Sequence, residues 1–344
     1  MHDFRSDTVT LPTPAMMAAV AVARLGDAAR GDDPTVLALE ALACDLTGKA
    51  DALFLPSGTM ANLAALIAHD CSGGAILLED SAHIHTAEGG GFATLAGAAA
   101  LPLQGRHGLL APADIDAAIA AAADVRLVCL ENTHNAGGGT VMPLDTMAAI
   151  HDLARRAGIP VHLDGARLFN AAAYLNRPII DLCRQVDSVW FALCKGLGAP
   201  VGAILAGDGA FMMKARRATK MLGGAMRQAG LIAAPAIVAL QDDPYARHRR
   251  DHALARRLAD GLAALDAALV DPAGVQTNIV NVFRDDAEAI RQALRAQGVL
   301  VLGKGRKIRF VTHAQVDAAA VDAAIAAFAG ILKSLPAGHG MAAQ

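Results

Sequence analysis

Short apolar runs alternate with longer stretches of helical spacing along most of the chain. Residues 12–23 predict a first helix, and Pro34-Thr35-Val36 opens a second that continues through Leu37, Leu39, Leu42 and Leu46. Both follow helix-start logic, with proline near the first turn. Strands are predicted at 52–55, 75–78, 127–131, 161–163, 188–193 and 201–206, and helices after Ser57-Gly58-Thr59, from Pro112 and from Leu144. Apolar strands alternating with helices imply an α/β fold, a largely parallel sheet covered on both faces. Ligands on such sheets bind beyond the C-terminal ends of the strands.

The texture changes after Leu240. A charge-rich helix (251–265), a strand (276–283), a helix from Ala287, short strands at 299–302 and 308–311 and a last helix from Val316 describe a small α+β domain. The expected partition is a large domain over 1–240 that includes the N-terminal segment, and a small domain over 241–335. A glycine- and alanine-rich tail, 336–344, is expected to be disordered. There is no internal repeat.

Length and composition narrow the class. A chain of 344 residues can bury a core large enough to exclude water from a site. A net charge of -3 argues against a polyanionic partner, and the densest basic cluster, Arg247-His248-Arg249-Arg250, runs straight into Asp251. No nucleic-acid partner is expected. The 54% hydrophobic content is inflated by alanine, and no apolar stretch of membrane-spanning length lacks polar interruption. Charges from Asp3 onward do not suit a signal peptide, so a cytoplasmic location is expected. The five cysteines are odd in number and widely spread, without a CxxC pair, and read mostly as core thiols.

Two segments carry the most chemistry. Val161-His162-Leu163-Asp164-Gly165 delivers a carboxylate at the end of a predicted strand, and Phe191-Ala192-Leu193-Cys194-Lys195-Gly196 delivers an amine. An acid to keep a pyridine nitrogen protonated and a lysine to form a Schiff base are the two groups that pyridoxal phosphate most needs. Ser57-Gly58-Thr59 lies between a strand and a helix, a place that suits a phosphate as well as an ordinary N-cap. His83 and His85 form an HxH pair that on a strand would share a face and invite a metal, yet no third ligand follows at a familiar spacing, so no metal is assigned. Gly89-Gly90-Gly91 and Gly137-Gly138-Gly139 permit close approach or plain loops. The turn Gly223-Gly224-Ala225-Met226-Arg227-Gln228 follows a basic stretch that could gather anionic oxygens or simply be solvated.

As a set, these segments resemble the low-specificity L-threonine aldolase family. The resemblance rests on residues 3–10, Pro56-Ser57-Gly58-Thr59, Leu130-Glu131-Asn132-Thr133-His134-Asn135, 162–170, Lys195-Gly196-Leu197-Gly198-Ala199-Pro200-Val201-Gly202, the turn 223–228 and Ile308-Arg309-Phe310-Val311-Thr312-His313, in order from residue 3 to about 332. It implies a fold-type-I pyridoxal-phosphate enzyme, a homotetramer with shared active sites, and retro-aldol cleavage of small β-hydroxy-α-amino acids. Carried over by position, Lys195 bonds the cofactor and Asp164 meets its ring nitrogen, with Ala166 and Arg167 beside it. Ser57, Gly58 and Thr59 hold phosphate, with Arg227 close by, and His83 stacks on the ring. Ser6, Arg167 and Arg309 receive the substrate carboxylate.

Three departures accompany the match. Arg30 stands where the family usually has a tyrosine, which places Arg30 on the substrate side. A histidine-bearing loop before Leu130 is absent, and Cys194 replaces a serine. The base for the β-hydroxyl therefore stays open between His83, Glu88 and a water. Competing readings are a β-eliminating lyase or an aldolase for an unusual polar substrate, a metal-dependent hydrolase using His83, His85 and Asp80, and a non-catalytic scaffold.

Overall fold

A computed structural model describes residues 1–334, so the expectation for 336–344 lies outside the described residues. The strands are β1 (His2–Asp3), β2 (Asp51–Leu55), β3 (Ala75–Glu79), β4 (Ala99–Leu103), β5 (Val125–Glu131), β6 (Val161–Asp164), β7 (Ser188–Ala192), β8 (Ala203–Gly207), β9 (Ile279–Phe283), β10 (Val299–Leu300) and β11 (Lys307–Val311). The chain divides into two compact units.

The larger unit, Leu11–Tyr245, is built on a seven-stranded sheet in the order β2-β8-β7-β6-β5-β3-β4. Strands β3 to β7 pair in parallel, and β8 runs antiparallel to both of its neighbours. Helices such as Leu144–Arg156, between β5 and β6, return the chain for parallel pairing, whereas a helix-free connection, residues 193–202, joins β7 to the antiparallel β8.

Every residue of β6, β7 and β8 is buried, because both faces of the sheet are covered. The two-residue period divides the side chains. Val161, Leu163, Val189 and Phe191 enter a core with Leu39, Leu77, Val128 and Ile150. Trp190, Ala192, Ala203 and Leu205 enter another with Ala61, Ala65 and Met212 of helices Gly58–Ala68 and Gly209–Met221. On that second face, β6 presents His162 and Asp164.

Strand β4 has no counterpart in the expected pattern. Its sequence Ala99-Ala100-Leu101-Pro102-Leu103 is half-exposed and contains a proline, which an edge strand tolerates because one side needs no ladder hydrogen bond.

The smaller unit joins Met1–Thr10 to the chain from Ala246 onward. The N-terminal segment, expected with the large domain, is thus packed elsewhere, and the reason is physical. β1 pairs in parallel with β10, Val311 donates its N–H to the Phe4 carbonyl at 2.8 Å, and the buried Phe4 ring meets Phe310 edge-on at 5.9 Å. Burying a phenylalanine of this kind contributes about 1.5–3 kcal/mol. β9 and β11 form an antiparallel pair packed with helices Ala287–Ala296 and Ala318–Ser334.

Cys71, Cys129 and Cys183 are buried, and burial pushes the thiols of Cys71 and Cys183 up to about 12. No helix among the described residues is long and apolar enough to cross a membrane.

One buried charge stands out in the smaller unit. Asp251 is fully buried, neither carboxylate oxygen has a hydrogen-bond partner, and desolvation raises its pKa from 3.8 to about 7. The native state therefore binds a proton between about pH 4 and pH 7 that the unfolded state has already released, so stability falls as pH rises through that window. Asp251→Asn should stabilise the protein above pH 7 by about 1–3 kcal/mol, and the gain should vanish near pH 4. Thermal unfolding of both proteins across that range checks it.

Candidate active site

The site grows from the ends of neighbouring strands. Parallel pairing of β5 with β6 brings Glu131 opposite Asp164, and pairing of β6 with β7 brings Asp164 opposite Trp190. The chain then leaves β7 and turns at Lys195, whose carbonyl accepts the N–H of Gly198 at 2.9 Å. Lys195 Nζ lies 5.8 Å from the centroid of the Trp190 ring. The sheet thus carries the acid and the amine to the same edge.

Asp164 is 4% exposed, and both its oxygens are held. Oδ1 accepts the Ala166 N–H at 3.0 Å, and Oδ2 accepts Asn62 Nδ2 at 2.9 Å. Asn62 sits one turn into the helix Gly58–Ala68 and also donates to Glu88 Oε1 at 2.9 Å. Glu88 in turn meets His83 Nδ1 at 2.9 Å. His83, Glu88 and Asp164 present polar atoms within 4.8 Å of one another, a grouping that could also hold a cation. The Glu88 hydrogen bond raises the His83 pKa; burial and the Lys195 charge oppose it, and the Asp164 charge reinforces it.

Glu131 is a second organising carboxylate. Its Oε2 accepts the His83 N–H and its Oε1 the Asn135 N–H, each at 2.7 Å. Asn135 Oδ1 then accepts Arg167 Nη1 at 3.1 Å, so one buried acid fixes both the His83 backbone and the partner of a buried guanidinium. Burial first, and the nearby Asp164 second, push the Glu131 pKa up, while His134 pulls it down. His134 Nε2 also lies 3.1 Å from Glu79 Oε2.

The helix Gly58–Ala68 starts at this edge. Ser57 is its N-cap, its hydroxyl accepting the Met60 N–H at 3.2 Å, so the capping role seen in the sequence is real. The cap leaves other first-turn N–H groups, including those of Gly58 and Thr59, without intrahelical partners, and these favour an anion. Gly58 is required by packing. A Cβ there would fall 2.2 Å from the Trp190 ring.

The remaining expected residues lie elsewhere. His83 and His85 are on a helical turn, His83–Thr86, and not on a strand, so their rings diverge; His85 Nδ1 meets the Asp80 carbonyl at 2.9 Å. The His83–His85–Asp80 metal set is therefore not assembled, and the only three-residue grouping suited to a metal among the described residues uses His83 with Glu88 and Asp164. Arg227 and Arg30 both meet Asp27, at 2.9 Å and 3.3 Å, in an exposed turn. Arg30 also lines a cavity of about 420 Å³ with Glu40, Arg216 and Lys220. Ser6 and Arg309 belong to the smaller unit, where Ser6 caps the turn Asp7–Val9 and Arg309 sits on β11.

Asn62, Trp190 and Glu131 had no sequence assignment. A polar amide within the alanine-rich run Met60-Ala61-Asn62-Leu63-Ala64 was the available signal for Asn62.

A mostly parallel sheet with one reversed strand, carrying an acid and a lysine to one edge, defines an α/β protein of fold type I. The chain belongs to the beta-eliminating lyase family, which matches residues 3–285. It is 39% identical to low-specificity L-threonine aldolase 1 of Arabidopsis thaliana, with 95% of each chain covered. It is 38% identical to the low specificity L-threonine aldolase of Escherichia coli K12, over 92% of this chain and 95% of that one. The structure of Leishmania major threonine aldolase shares its fold, with a TM-score of 0.81 at 21% identity, over 97% and 99% of the two chains.

Gly58→Ala should destabilise the protein by about 1–3 kcal/mol, because the added methyl must displace the Trp190 ring. Chemical denaturation compared with an exposed, open glycine such as Gly209→Ala checks this.

Proposed function

We propose that the protein is a pyridoxal-phosphate-dependent carbon–carbon lyase that cleaves L-threonine, L-allo-threonine or related β-hydroxy-α-amino acids to glycine and an aldehyde. The carrying observation is the convergence of Lys195, the doubly held Asp164 and the Glu88-backed His83 at one sheet edge, in a chain closely similar to aldolases over nearly its whole length.

The donor set fits the cofactor. Asp164 keeps a lone pair on each oxygen beyond its two hydrogen bonds, so it can accept from a protonated ring nitrogen. Gly58 and Thr59 would hold the phosphate at the helix N-terminus, Lys195 would carry the cofactor covalently, and the His83 ring would lie against it. When bound, the cofactor supplies an electron sink for the pair released at the α-carbon.

The chain's own residues decide which bond breaks. Arg167, held by Asn135, would receive the substrate carboxylate and fix rotation about the bond to the α-carbon, which selects the α–β carbon bond for cleavage. Asp164 would accept a hydrogen bond from the protonated ring nitrogen. The β-hydroxyl proton has two residue candidates as acceptor, His83 and Glu88, which form one hydrogen-bonded pair. The resemblance adds Ser6 and Arg309 to the carboxylate and Arg227 to the phosphate.

The same resemblance implies a homotetramer. Helices Pro14–Ala21, Pro34–Thr47 and Gly230–Gln241 pack together, and with their flanks leave Met17, Val22, Leu25, Leu37 and Leu231 exposed, apolar surface suited to a subunit contact. Sedimentation analysis should give four times the 35.2 kDa chain mass.

A β-eliminating lyase would release ammonia and a keto acid, an aldolase glycine and an aldehyde. Aldehyde should predominate from a panel of β-hydroxy amino acids, and keto acid as the main product would reverse the reading. Lys195→Ala should lose both turnover and the borohydride-reducible visible absorption, whereas Arg167→Ala should keep the absorption and lower kcat/KM by about tenfold or more.

A further inference from the structure

The second face of the sheet carries polar residues where apolar ones would pack more easily. His162 and Asp164 on β6 stand beside Ser188 and Trp190 on β7, all buried under the helix that bears Asn62. Their hydrogen bonds form one line. His69 Nε2 meets Ser188 Oγ at 2.7 Å, Ser188 Oγ meets His162 Nδ1 at 2.8 Å, and His162 Nε2 meets Asn62 Oδ1 at 3.2 Å. Asn62 then donates to Asp164 and Glu88.

The direction of every bond follows from one residue that can only donate. Trp190 Nε1 gives its hydrogen to Asn62 Oδ1 at 2.7 Å, so the Asn62 carbonyl faces Trp190 and its NH2 faces the carboxylates. The amide cannot flip without setting its NH2 against the indole N–H and its carbonyl against two acids. His162 must then donate from Nε2. Burial pushes the His162 pKa down to about 3, so the ring is neutral and Nδ1 accepts from the Ser188 hydroxyl. Ser188 accepts in turn from His69, which burial likewise keeps neutral, with a pKa of about 4 despite Asp187, Asp208 and Asp70 around it, and with the Lys214 charge acting in the same direction as burial.

All four hydrogen-bonding capacities of Asn62 are thus used, two donated to acids and two received, from the Trp190 indole and the His162 ring. Donation into its carbonyl polarises the amide and strengthens the hydrogens it gives.

We propose that Asn62 is a positioning residue for the cofactor, the end of a hydrogen-bonded relay His69–Ser188–His162–Asn62 that holds Asp164 and Glu88 as a fixed pair. This rests on the reading that Asp164 meets the ring nitrogen of pyridoxal phosphate. Loss of the relay would take a hydrogen bond from the Asp164 carboxylate, which would then compete more strongly for a proton on the ring nitrogen. The ring then withdraws less charge, and the cofactor's bond to Lys195 stays protonated to higher pH.

The test uses the full-length protein loaded with pyridoxal phosphate. The readouts are the pH midpoint of the visible band and the cofactor dissociation constant, with thermal unfolding as the folding control. Asn62→Leu should raise the midpoint and weaken cofactor retention about tenfold, the scale of one lost hydrogen bond to a charged acceptor. Ser188→Ala touches neither carboxylate and should raise the midpoint in the same direction by less, leaving affinity nearly unchanged. A merely structural role would lower the unfolding temperature and leave both midpoints at the wild-type value, and that result overturns the relay. If Asn62→Leu does not fold, Ser188→Ala decides alone. A wild-type protein that binds no pyridoxal phosphate removes the underlying reading and the relay with it, whereas wild-type binding with unmoved midpoints in the variants removes only the relay.

Discussion

A carboxylate buried at the end of β6 is the constraint on which the rest of the larger unit depends. Burying a charge is costly unless hydrogen bonds replace the water it loses. Asp164 meets that demand twice, through the Ala166 N–H of its own turn and through Asn62 of a helix a hundred residues earlier in the chain. Asp251 in the smaller unit shows the alternative, a buried acid whose oxygens have no partner and which takes up a proton instead. The hydrogen bonds to Asp164 therefore replace the water its carboxylate loses at that depth.

That demand propagates outward. Asn62 must present its NH2 to Asp164, so its carbonyl needs donors, and Trp190 and His162 supply them. The Trp190 ring then occupies the space against residue 58 and leaves room only for glycine, at the point where the helix N-terminus offers its N–H groups. Strand order does the rest. The reversed β8 lets the chain return without a crossover helix, and the turn at Lys195–Gly198 in that connection places Lys195 beside the same indole.

Much of this was legible in the sequence, and what was not has identifiable causes. Asp164 and Lys195 could be read because an apolar strand ending in a single charged residue is a strong local signal, and the parallel sheet followed from the strand and helix spacing. Strand β4 could not, since Pro102 and half-exposed alanines carry no two-residue pattern. The HxH pair was read with a strand's period, but residues 83–86 form a helical turn, which sends the two rings apart. The N-terminal segment was assigned by chain continuity, whereas its place is set by Phe4 and by pairing with β10, contacts separated by almost the full chain. Asn62 and Glu131 act through partners distant in sequence, and only the assembled sheet brings those partners together.

The concentration of acids at this edge has a further consequence for what the site can bind. Asp164, Glu88, Glu131 and Glu79 stand at or beside the ends of β3, β5 and β6, with His83, His134, Arg167 and Lys195 among them. Glu131 accepts the backbone N–H groups of His83 and Asn135, and Glu79 Oε2 meets Ser81 and His134, which fixes the loops at this edge. Asp164 and the Glu88–His83 pair are differently placed, since the Asn62 side chain ties the two acids together and His83 adds an imidazole to them. A ligand with a cationic ring nitrogen and an anionic tail would satisfy both ends at once, the nitrogen against Asp164 and the tail at the helix N-terminus. A simple metal ion would satisfy only the acids and would leave the helix end, Lys195 and Arg167 without a role. That asymmetry favours the organic cofactor over the metal at the His83–Glu88–Asp164 cluster, where the two could compete.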